Sequence, residues 1–139
     1  MNRTSIVQSK RLVDLGLDPN TADMVHYGIH KGIDGNYHLS GTNTNDDVIP
    51  IDKALCSKTF EKVTESDIEC QLPCWSVSAL MYLLPEIRIN YHPYKWRYSL
   101  VSLEYIEVSS GKILHSITSN GVLNKFYDMV VWLLENKYI

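Results

Sequence analysis

The stretch "ECQLPCWSVSALMYLLP", residues 69–85, decides how the middle of this chain is read. Cys70 and Cys74 flank Pro73 and stand just ahead of Trp75 and an apolar run. One reading is structural. Ser76 offers its hydroxyl to the free N–H groups of a first helical turn, a cap worth about 1 kcal/mol. Trp75 before that cap and Leu80 four places inside it have the spacing of a hydrophobic staple. Pro85 disfavours a helical Leu84, which ends the helix after about two turns. Cys74 then serves as a small buried filler.

The other reading is chemical. A redox pair needs two residues between its cysteines, and here three intervene, one of them Pro73. A zinc site needs two more ligands, and His26 and His30 have the spacing that puts both imidazoles on one helix face. Gly28 between them weakens that helix. The structural reading leaves no residue from Leu72 to Pro85 without a role, so no metal is expected. The set His26, His30, Cys70 and Cys74 stands as the alternative.

Working outward, "RTSIVQSKRLVDLGL" (3–17) has apolar residues at helical spacing, with Thr4 or Ser5 to cap it and Gly16 to end it. Asp18-Pro19 starts a turn or a second helix, and Ala22–Tyr27 fits a short helix. Asp34-Gly35, between the short runs around Ile29 and Tyr37, reads as a hairpin turn. The polar run 40–47 reads as a loop. Val48–Ile51 is a short edge strand, because Pro50 cannot donate to a ladder. Asp52–Val63 fits either helix or strand.

Further on, residues 87–92 and 96–108 are rich in aromatic and β-branched residues and read as two strands. Residues 109–112 form a turn and 113–118 a third strand. The last twenty residues carry Val122, Phe126, Met129, Val130, Leu133 and Leu134 in a wide helical stripe. The expected fold is therefore α+β, a single domain over 1–139. Its sheet is mainly antiparallel, with helices packed on one face and an amphipathic helix closing the chain.

The 139 residues are 45% apolar and 21% charged, an ordinary globular mixture that supports a core without staples. A net charge of −3 argues against bulk nucleic-acid binding. No run approaches the roughly 20 apolar residues of a membrane span. "MNRTSIVQSKRL" has no apolar secretory core, and three cysteines fit reduced thiols, so a cytoplasmic protein is expected.

Catalytic signals are missing: there is no H-E-x-x-H, Walker loop, G-x-G-x-x-G or G-x-S-x-G. No cofactor and no catalytic residue is assigned. The best surface candidate is Tyr94, Lys95, Trp96, Arg97 and Tyr98. Aromatics interleaved with cations suit protein hot spots and single-stranded nucleic acid alike. Alternate members packing into a core is the competing account.

"LGLDPNTADM" (15–24), "LPCWSVSALMYLLP" (72–85) and "YDMVVWLLENKYI" (127–139) resemble a group of small uncharacterised proteins of gut bacteria. Their genes are often found in prophage-like or conjugative-element-like regions. The resemblance implies a cytoplasmic accessory protein of a mobile element and transfers no site residue. Together these readings point to a non-catalytic interaction module with an unidentified protein partner or a second copy of itself. A His/Cys metal protein or enzyme and a single-strand binder are the alternatives.

Overall fold

The computed structural model describes residues 2–39, 47–50 and 70–139. The chain divides into two compact units, Arg3–Ser76 and Val77–Ile139 with Asn2, and both mix helices with antiparallel sheet. The fold is α+β.

In the first unit, Ser5 caps helix α1 (Ile6–Asp14). Its hydroxyl accepts from the Gln8 N–H, and the Gln8 side chain accepts from the Ser5 N–H, closing a capping box. Gly16 follows with φ 95°, where a side chain would be strained. Asp18 caps a single 3-10 turn, Pro19–Thr21. The helix expected over Ala22–Tyr27 does not form. Strand β1 runs instead from Met24 to Lys31. It is the centre of its sheet: β2 (Tyr37–Leu39) and β3 (Asp47–Pro50) pair along one side and β4 (Cys70–Cys74) along the other. Val25 and Ile29 are fully buried and α1 packs on β4. Two-sided pairing and burial outweigh the weak helical spacing of this segment. Asp34-Gly35 does form the expected hairpin, and Val48–Pro50 lies in a strand as expected. The ambiguous segment Asp52–Val63 lies outside the described residues.

In the second unit, α2 (Val77–Tyr82) is short, as Pro85 dictates. A four-stranded meander follows: β5 (Ile87–Ile89), β6 (His92–Tyr98), β7 (Leu103–Glu107) and β8 (Ile113–Ile117). Helix α3 (Val122–Glu135) packs on β7 and β8 and against α2, burying Phe126, Met129, Val130 and Leu133. Two expected strands are corrected here. Residues 87–92 are broken by a turn at Asn90 (φ 51°) and Tyr91 (φ 67°), and residues 96–108 are a hairpin rather than one strand.

Candidate functional site

Strand β6 carries all five residues of the expected surface, and its alternation divides them. Tyr94, Trp96 and Tyr98 point to the α3 face. Trp96 meets Phe126 edge to face at 5.6 Å, and Tyr98 meets the same ring at 5.7 Å. Tyr94 is buried, and its phenol donates to Glu107 Oε2 at 3.4 Å. Lys95 and Arg97 leave by the opposite face and are exposed. Arg97 pairs directly across the ladder with Glu104, Nη2 to Oε1 at 2.9 Å. Cations and aromatics are thus on different sides of one sheet, so they do not form a single interleaved platform.

What the sequence reading missed lies just beyond, at the turn joining β6 to β7. The Ser99 N–H donates to the Ser102 carbonyl at 2.8 Å, and the Ser102 N–H donates to Ser99 Oγ at 3.0 Å. Between these two serines stand Leu100, 87% exposed, and Val101, 75% exposed. Hairpin turns ordinarily use Gly, Asn or Asp. Here a hydroxyl-locked turn holds two adjacent apolar side chains in water, with exposed Tyr98 at its base. The signal was present in sequence as "SLVS", and the continuous β-rich run around it concealed the break.

The richest polar cluster is centred on Glu107. Ser109 Oγ donates to it at 2.7 Å, Tyr94 does so across the ladder, and His92 Nδ1 lies 3.6 Å from Oε1. The Ser109 hydroxyl, and then the charge of His92, hold the Glu107 carboxyl below its ordinary range against the opposing effect of burial. Burial, and the charge of Glu107, push the Tyr94 phenol up. The carboxylate's partners come from the two strands it joins and from the following turn. It serves as a clasp for the ladder.

Among the described residues, the alternative metal set is not brought together. His26 and His30 lie on an extended strand, about 13 Å apart at roughly 3.3 Å per residue. His26 Nε2 is 3.0 Å from Ser9 Oγ, which lies 2.8 Å from Thr4 Oγ1. Cys74 Sγ donates to the Thr4 carbonyl at 3.4 Å, and the Trp75 N–H donates to Thr4 Oγ1 at 3.0 Å. Thr4, Ser9, His26 and Cys74 are all fully buried, and their chain of hydrogen bonds ties α1 to β1 and β4. Cys70 lies in β4 and pairs with Ile29. Among the described residues no group of three or more His, Cys, Asp or Glu side chains is placed to hold a metal ion. Ser76, expected as a helix cap, donates its hydroxyl to Asp23.

An open cleft of about 380 Å³ lies between α1 and the start of β2, lined by Ile6, Val7, Arg11 and Tyr37 among others. Its Lys10 and Asp14 neutralise each other at 2.6 Å. Among the described residues no helix is long and apolar enough to cross a membrane. Comparison with protein-family models, curated proteins and solved structures gives no match.

Proposed function

We propose that this chain is a non-catalytic binding module that engages a protein partner through the β6–β7 tip. In the setting implied by the resemblance of its motifs, it is a cytoplasmic accessory protein of a phage or other mobile element. The observation that carries the reading is the exposure of Leu100 and Val101 on a turn locked by Ser99 and Ser102. Each such side chain gains about 1.5–3 kcal/mol when removed from water. A turn already held by hydrogen bonds loses little further freedom on docking, so more of that gain reaches the affinity. Tyr98 extends the apolar surface toward α3, and Arg97 supplies a charge on the far side of the strand.

The division of β6 favours a protein over a single-stranded nucleic acid. Stacking platforms need aromatics beside the cations that follow the backbone. Here Trp96 and Tyr98 turn to Phe126, while Arg97 is already paired with Glu104.

A photo-crosslinking amino acid placed at position 100 tests the reading in cells expressing the chain at native level. The expected result is one discrete adduct, absent when the crosslinker sits at position 135 instead. The mass of that adduct also separates a foreign partner from a second copy of the chain. Adducts from position 135 but not from position 100 would refute the tip as the contact.

A further inference from the structure

Asn120 is the only asparagine of the chain followed by glycine, and the pair Asn120-Gly121 forms the entrance to α3. Both residues are exposed. The chain around them is held on each side. Ser119 Oγ donates to Asp128, the Asn124 side-chain amide donates to the Asn120 carbonyl at 3.1 Å, and the Lys125 N–H donates to the Gly121 carbonyl at 3.2 Å. Among the described residues nothing accepts from the Gly121 N–H, and nothing engages the Asn120 side-chain amide.

An asparagine amide carbon and the nitrogen of the next residue are spaced along the chain so that joining them closes a small ring. Glycine has no Cβ to obstruct that approach, and even a Cβ added at Gly121 would meet nothing within 4 Å. The Asn124 hydrogen bond falls on the carbonyl of the same peptide group. Amide resonance passes that pull to the Gly121 nitrogen and makes its proton easier to lose. Asp34-Gly35 has the same spacing but not the same freedom. There the Gly35 N–H donates to the Gly32 carbonyl at 3.0 Å. The Asn36 N–H, and after it His38, hold the Asp34 carboxyl below its ordinary range, so it stays ionised and is a poor target for attack.

We propose that Asn120 is a site of spontaneous covalent modification, in which the Gly121 nitrogen displaces the side-chain amide. The nitrogen attacks Asn120 Cγ and a C–N bond closes a cyclic imide. The side-chain nitrogen leaves as ammonia, taking the proton that the Gly121 nitrogen gives up, and nothing is oxidised or reduced. Water then opens the imide at either carbonyl, giving aspartate or isoaspartate. Both products place a carboxylate at the start of α3. Isoaspartate also adds one methylene to the main chain between the Ser119 and Lys125 contacts that set the first turn.

The test is mass spectrometry of the purified full chain, incubated folded in mildly alkaline buffer and then digested with trypsin. A sample taken before incubation corrects for conversion during digestion. The same chain unfolded in guanidinium chloride sets the time over which conversion is sought. The peptide Ile113–Lys125 should gain one mass unit and separate into two products, with fragment ions placing the change at Asn120 and not at Asn124. The Asn120→Gln chain should show no gain in that peptide. A folded chain that stays unchanged while the unfolded chain converts would overturn the proposal. So would conversion of another asparagine ahead of Asn120, or a gain that persists in Asn120→Gln.

Discussion

Replacing Ser9 by Ala tests the buried hydrogen-bond chain that joins α1 to the first sheet. The Ser9 hydroxyl lies 2.8 Å from Thr4 Oγ1 and 3.0 Å from His26 Nε2, and all three residues are fully buried. Alanine removes one oxygen and creates almost no cavity, so the cost comes from the polar groups left behind. A buried polar group that loses its partner costs about 1–3 kcal/mol. Thr4 Oγ1 still accepts from the Trp75 N–H, which limits its share. The loss falls mainly on His26, giving a destabilisation of about 2 kcal/mol. With a urea slope of about 1–3 kcal/mol per molar, the midpoint drops by roughly 1 M while the slope stays unchanged. A cycle with His26→Phe supplies the control: the double variant should be less destabilised than the two single changes summed, because neither polar partner remains. A Ser9→Ala midpoint within about 0.2 M of wild type would refute the reasoning.

Three further outcomes follow from the second unit. Phe126→Ala removes the ring that Trp96 and Tyr98 both contact, and should cost about 3–5 kcal/mol by thermal or urea unfolding. Tyr91→Gly should stabilise the chain by about 1 kcal/mol, because a tyrosine at φ 67° carries the left-handed penalty that glycine avoids. Glu107→Gln should give a pH-dependent result. The native carboxyl is held below its ordinary value of 4.5, so its contribution is present above that pH and is lost as pH falls through the lower native value. Urea midpoints of wild type and Glu107→Gln should differ at pH 7 and converge in acid below about pH 4. A gap that stays constant across that range would contradict the clasp role of Glu107.

Local chemistry made several elements legible. Ser5 and Gly16 announce α1, Asp34-Gly35 announces the hairpin, and the stripe from Val122 to Leu134 announces α3. The errors have physical causes. Ala22–Tyr27 has weak helical spacing, but it borders a segment that must pair on both sides, and non-local pairing is not written in its periodicity. Residues 96–108 hide their turn because Leu100 and Val101 are strand formers, and the two serines that close the turn do so through side chains. The stretch around Cys70 and Cys74 contains a strand and not only the approach to a helix. Pro73 is tolerated there because, among the described residues, β4 pairs only with β1. The candidate surface was half legible: the strand was seen, but which of its residues face α3 depended on register.

The most direct measurement is the apparent size of the chain in lysate of cells that express it at native level. Gel filtration of wild type is compared with a Leu100→Ser, Val101→Ser double variant, with the purified chain as reference. Both changes lie on an exposed turn, so stability should stay within about 0.5 kcal/mol. The account predicts that wild type elutes in a complex larger than the purified chain and that the variant elutes with the purified chain. Identical elution of wild type and variant, in whatever fraction, would contradict it.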